Sequence, residues 1–188
     1  MSIMEQSAGA VGSGSGPTGT GLTMRRGRPE DAAALCALAV RSKGWWGYSA
    51  SFMRECAPEL VVSPQAAADT VVAEVDGQLA GFHLLVPMPD GSSDCGELGM
   101  LFVDPPFIGS GIGKILFEDA RRSAAGRGWL RLIIVADPHS RTFYERAGAV
   151  LAGERLSQTI PGHSLPVFDV TLRPRPSASS SPRPTYWR

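Results

Sequence analysis

The sequence has no excess of charge of either sign: 18 Lys and Arg stand against 18 Asp and Glu. A protein built to grip a polyphosphate backbone carries a basic excess, so nucleic acid is excluded as a dedicated partner. Cysteine is scarce. Cys36, Cys56 and Cys95 are odd in number and far apart, which supplies neither a disulfide framework nor a metal-ligand spacing. That usage suits a reducing, cytoplasmic setting, and no metal is expected. No apolar stretch approaches the ~20 residues of a membrane span. The N-terminus lacks a basic region followed by an apolar one, so neither a membrane partner nor a secretory signal is expected. Aromatic residues make up only 7% of the chain. Trp45, Trp46 and Tyr48 nonetheless fall together, in a stretch that reads as a loop.

What is present is ordinary globular material. A chain of 188 residues with 43% hydrophobic content can bury one proper core. Residues 1–21 are dominated by Gly, Ser and Ala, and residues 173–188 by Pro, Ser and Arg. Neither composition can offset the entropy of ordering, so both read as disordered tails around a domain at 22–172. Within it, a short strand at 23–27 precedes a helix opened by Pro29-Glu30-Asp31 and stopped by Gly44. Ser49 can cap a second helix, and residues 64–69 read as a connector. Asp76-Gly77 between two apolar runs is a hairpin signal. A third strand runs from Glu97 to Val103, and Leu132 to Ala136 reads as a buried central strand. The pattern is a mixed sheet with helices packed on it.

The stretch ELGMLFVDPPFIGSGIG, from Glu97 to Gly113, leads into the helical spacing of Ile112, Ile115, Leu116 and Ala120. Strand, glycine-rich turn and helix in that order aim bare N–H groups at one point, a ready site for an anion. A triphosphate loop of the Gly-x-x-x-x-Gly-Lys-Ser/Thr type does not fit. Its first glycine would fall on Ile108 and its hydroxyl residue on Ile115. The dinucleotide fingerprint does not fit either. Gly109, Gly111 and Gly113 have the wrong spacing, and the turn follows an antiparallel meander instead of opening a parallel sheet.

The segment VDPPFIGSGIGKILFEDA resembles the acyl-CoA loop of the GNAT superfamily of N-acetyltransferases, Arg/Gln-x-x-Gly-x-Gly/Ala after a strand ending Val-x-Pro. Gly111 and Gly113 fill the two glycine positions. ADPHSRTFYERAGAV resembles that family's second signature, an Asn or Asp followed by Phe-Tyr-x-x-x-Gly. The resemblance implies an α/β (α+β) fold, a mostly antiparallel sheet of about six to seven strands flanked by about four helices. It implies acetyl-CoA as cosubstrate, held by Ile108, Gly109, Ser110, Gly111, Ile112, Gly113 and Lys114. Ile108 stands at the Arg/Gln position, so Lys114 or the loop N–H groups must replace that side chain. Val103 would pair its backbone with the pantetheine arm, and an N–H near Leu101 or Phe102 would serve the carbonyl oxygen. Asp137 and Ser140 would cap the next helix and line the cofactor.

Acyl transfer from a thioester to an amine needs a neutral amine. A lysine-like amine of pKa ~10.4 is unprotonated in only about one molecule per 10³ at pH 7. A base, an oxyanion donor and an acid for the leaving thiolate follow. The resemblance places the base on Glu97 and the acid on Tyr144. It also places the acceptor near the loop holding Trp45, Trp46 and Tyr48, with residues 159–166 as a second wall. The tryptophans suit two roles, cation–π contact or cover for the sheet, and the sequence does not separate them. His83, His139 and His163 receive no role. The expected reaction is acetyl transfer to a primary amine of a small molecule. The competing expectation is a non-catalytic acyl-CoA-binding module, and a homodimer through sheet edges accords with the resemblance.

Overall fold

The computed structural model describes residues 21–172. The two expected tails, apart from Gly21, lie outside the described residues. Seven strands form one sheet in the order β1-β2-β3-β4-β5-β7-β6. They are β1 Leu22–Arg26, β2 Val71–Val75, β3 Gln78–Pro87, β4 Cys95–Val103, β5 Arg131–Val135, β6 Val150–Leu156 and β7 Ser164–Thr171. All neighbours are antiparallel except β4 and β5. The hairpin between β2 and β3 turns on Asp76 and Gly77 at φ 51° and 77°. Positive φ at both central residues gives the twist that a two-residue hairpin needs.

Five α-helices flank the sheet: α1 Ala32–Gly44, α2 Ala50–Cys56, α3 Pro64–Asp69, α4 Ile112–Gly126 and α5 Arg141–Arg146. α3 replaces the expected connector. Ser63 accepts a hydrogen bond from Ala66 N–H and Pro64 sits at the first turn, the local chemistry of a helix start. Strand alternation sends side chains to two cores. Val72, Phe82, Met100 and Phe102 meet α1–α3 through Leu35, Leu38 and Cys56. On the other face Leu98, Leu132 and Ile134 meet Phe117 and Ala120 of α4 and Tyr144 of α5.

The feature that shapes the site is where β4 and β5 separate. Their register holds for Cys95–Arg131, Gly96–Leu132 and Glu97–Ile133 and then ends. Just beyond, β4 carries a bulge. Met100 faces Leu84 and Leu98 faces Leu85, so Gly99 is the extra residue. A bulge bends its strand and increases its twist. At the paired end, Trp129 is 6% exposed and lies directly over Gly96. A Cβ on Gly96 would stand 2.1 Å from the indole ring. Gly96→Ala should therefore destabilise the protein by about 1–3 kcal/mol through overpacking, read from urea unfolding midpoints. An unchanged midpoint would show that the indole moves aside freely.

Candidate active site

The gap between β4 and β5 opens into a cavity of about 560 Å³. Its backbone comes first. Asp104 N–H donates to Ala80 C=O at 2.9 Å, and Ala80 precedes Gly81, the partner of Val103. Antiparallel ladders alternate between hydrogen-bonded and non-bonded pairs. Phe102 therefore also faces β3, while the N–H and C=O groups of Leu101 and Val103 face the gap. Of the two N–H groups expected to serve the carbonyl oxygen, Leu101 is well aimed and Phe102 is not.

At one end of the gap stands the start of α4. Gly109 and Gly111 adopt φ 83° and 92°, the left-handed region that favours glycine. The first intrahelical bond runs from Ile115 N–H to Gly111 C=O, so the N–H groups of Ile112, Gly113 and Lys114 precede it and lack helical partners. A Cβ on Gly113 would meet Phe143 at an ordinary 3.5 Å. Packing within the chain therefore does not require that glycine, and its absence of a side chain leaves the helix end bare toward the cavity. Ile108, Gly109, Gly111, Gly113 and Lys114 lie on the cavity wall. Ser110 and Ile112 do not bring their side chains to it. The Ser110 hydroxyl donates to Phe107 C=O at 2.6 Å, and Ile112 is buried with Ala73, Ala80 and Leu116.

Midway along, Tyr144 lines the cavity. It is held by the edges of Phe117 and Phe143 at ring distances of 5.5 and 5.0 Å. Burial, and then the nearby Asp137 carboxylate, push its phenol well above the ordinary tyrosine value. The hydroxyl thus keeps its proton and is a donor on the cavity wall.

Asp137, just after β5, also lines the cavity but is already engaged. Lys43 Nζ donates to it at 2.6 Å and Tyr48 Oη at 3.0 Å. His139 N–H donates to it at 2.8 Å, capping the short turn that leads to α5. Burial alone would raise this carboxyl. The hydrogen bond and charge of Lys43 outweigh burial, with help from the other donors, and hold it below the usual carboxylate range. Ser140 does not cap α5 by its side chain. Its hydroxyl turns back to Asp137 C=O at 2.7 Å. On the opposite lip, Arg41 binds Asp104 in a two-pronged contact at 2.8 and 2.9 Å. The last turn of α1 thus reaches both lips.

The matched sequence model is described as the acetyltransferase (GNAT) family and spans residues 32–149. This chain belongs to that family. No curated protein matches the sequence. Among solved structures, a GCN5-related N-acetyltransferase from Rhodopseudomonas palustris aligns at TM-score 0.65 and 24% identity, covering 80% of this chain and 95% of that one. The PaiA N-acetyltransferase from Thermoplasma acidophilum, in complex with coenzyme A, aligns at 0.62 and 21%, covering 80% and 98%. N-acetylglutamate synthase from Neisseria gonorrhoeae, complexed with coenzyme A and N-acetyl-glutamate, aligns at 0.58 and 21%, covering 81% of this chain and 35% of that one. These likenesses establish a GNAT fold for the present chain.

Within this GNAT fold, the expected site residues divide. Leu101, Phe102, Val103, Asp137, Ser140 and Tyr144 meet at the cavity with the glycine turn. Glu97 is not on its wall. Leu98 points into the α4-side core, so alternation turns Glu97 to the opposite face, where its Oε2 lies 3.8 Å from Arg155. Trp46 lines the cavity and stacks on His139 at 5.3 Å. Trp45 is off the wall and 56% exposed. Tyr48 stands behind the wall, bonded to Asp137 and stacked on Phe52 at 4.1 Å. Ile160, His163 and Leu165 supply the second wall. Lys43, within the 42–48 stretch expected to border the acceptor, also lines the cavity, as does Glu59, which carries no signal in the sequence. Among the described residues no helix is long and apolar enough to cross a membrane, and no cluster of His, Cys, Asp or Glu is placed to hold a metal ion.

Lys43→Met would strand a largely buried carboxylate, since the two side chains are only 13% and 14% exposed. The expected loss is about 3 kcal/mol at neutral pH. Asp137 is depressed in the fold, so its contribution exists while the carboxyl is ionised and disappears as pH falls through its lowered value. The difference between wild type and Lys43→Met should therefore be full near pH 7 and shrink toward pH 3. Chemical denaturation across that range tests it, and a pH-independent difference would exclude the ion pair as its source.

Proposed function

We propose that this protein moves an acetyl group from acetyl-CoA to a primary amine of a small molecule by direct attack. Tyr144 carries the reading. It is a buried, protonated hydroxyl in the same gap as the free backbone of Leu101 and Val103 and the bare start of α4. Acetyl-CoA supplies an acetyl group already activated as a thioester. The N–H groups of Ile112, Gly113 and Lys114 meet its phosphate charge, as an unpartnered helix start favours an anion. The Lys114 side chain adds a positive charge where Ile108 offers none. Leu101 and Val103 pair with amide groups laid along the gap, which act as a missing strand. The N–H of Leu101 faces the carbonyl oxygen, and Tyr144 Oη holds the proton for the departing sulfur. Glu97, off the wall on the Met100 face, enters this reading only as a proton acceptor through water. A soluble, cytoplasmic enzyme accords with the cysteine usage.

Calorimetry with acetyl-CoA tests cofactor binding, and free-thiol release over an amine library tests turnover. Binding without thiol release on any amine would favour the alternative, a non-catalytic acyl-CoA-binding module. Tyr144→Phe should lower kcat about 100-fold while leaving acetyl-CoA affinity intact; an unchanged rate would remove the tyrosine from the acid role. Gly111→Val forces a branched side chain onto φ 92°. It should abolish acetyl-CoA binding in a protein whose circular dichroism is unchanged. Retained binding would mean that the turn does not cradle the phosphates.

A further inference from the structure

The end of the cavity away from the glycine turn has its own electrostatic character. The cavity wall carries four formally charged side chains, Lys43, Glu59, Lys114 and Asp137. Lys114 stands in the first turn of α4, at the glycine-rich end. Lys43 and Asp137 neutralise each other at 2.6 Å. Glu59 remains, with no ion-pair partner among the described residues. It lies in the short 3-10 turn after α2. Its Oε1 accepts a hydrogen bond from Thr159 Oγ1 at 2.5 Å, across the mouth between that turn and the β6–β7 loop.

The rest of this end is mostly apolar, with Ser42, Ser157 and the rings of His139 and His163 as its other polar groups. Trp46, Phe52, Leu60, Met100, Ile160 and Leu165 supply the surface. Two ring systems stiffen it: Trp46 lies flat on His139, and the edge of His163 meets Phe52 at 5.3 Å. Glu59 is exposed at the mouth, and a mostly apolar chamber with one uncompensated carboxylate at its entrance attracts cations and repels anions. A carboxylate on an entering molecule would meet the negative charge of Glu59, and the nearby cation, Lys43, is already committed to Asp137.

We propose that the acceptor is an apolar amine bearing no acid group, of the arylalkylamine type, and that Glu59 determines this specificity through its charge. The proposal rests on the acyl-transfer reading for the identity of the reaction, but acceptor binding alone tests it. The probes are 2-phenylethylamine and phenylalanine, which differ by one carboxylate. Calorimetry on the full chain should show the amine binding at least about tenfold more tightly than the amino acid. Glu59→Gln keeps an oxygen that can accept from Thr159 while removing the charge, and should bring the two affinities together. Thr159→Val removes the hydrogen bond but keeps the charge, and should leave the preference in place.

Phenylalanine binding as tightly as the amine, or neither probe binding, overturns the proposal. So does a preference that survives Glu59→Gln or vanishes in Thr159→Val, since the closed loop and not the charge would then select. A parallel acetyl-CoA titration separates the two readings. Its failure counts against acyl transfer, whereas the difference between the probes is measured without cofactor.

Discussion

Two neighbouring strands that part company leave backbone groups without partners, and the rest of this structure depends on that constraint. β4 and β5 are paired over only three positions. Beyond them Leu101 and Val103 present N–H and C=O groups to a gap, not to a strand. Unpaired backbone away from water costs free energy comparable to a lost hydrogen bond. The gap must therefore hold water or an extended amide-bearing molecule. Around it stand a bare helix start, a buried hydroxyl and a mostly apolar chamber.

The electrostatics follow the same axis. Positive partial charge gathers at the start of α4, where the helix dipole and Lys114 coincide. The middle is nearly neutral, because Lys43 and Asp137 are spent on each other. The far end is weakly negative through Glu59. A molecule with phosphates at one end and a cationic partner arriving from the other matches this gradient without any residue changing its charge state. Tyr144 lines the same cavity. The burial that raises its phenol makes it a durable proton holder instead of a source of negative charge in the gap.

Much of this was legible in the sequence, for local reasons. Asp-Gly between apolar runs has essentially one good turn, and three glycines between a strand and a helix leave a bare helix start. The Phe143-Tyr144 pair was recognisable by resemblance, and both residues line the gap. Other features depended on partners far away in the chain. Lys43 looks like any surface lysine until Asp137, 94 residues on, is brought to it. Glu59 and Thr159, 100 residues apart, are no different. Glu97 shows a separate limit. Its position along the strand was readable, but its facing depends on alternation just ahead of the Gly99 bulge, which no local pattern announces. Trp45 and Trp46 were indistinguishable for a similar reason, as neighbours at a helix end point in different directions. The missed α3 had a legible start in Ser63-Pro64, but six residues are too short for a periodic signal.

The last turn of α1 ties Arg41 to the lip after β4 and Lys43 to the lip after β5. With the vertex closed under Trp129, the two strands and that helix end form a triangle, a shape that cannot flex without one of its members changing length. The two tie points are not equally durable. Arg41 is 51% exposed, and its bond to Asp104 is open to ionic screening, whereas Lys43 and Asp137 are shielded from it. Rising salt thus loosens one corner of the frame while the other two stay pinned.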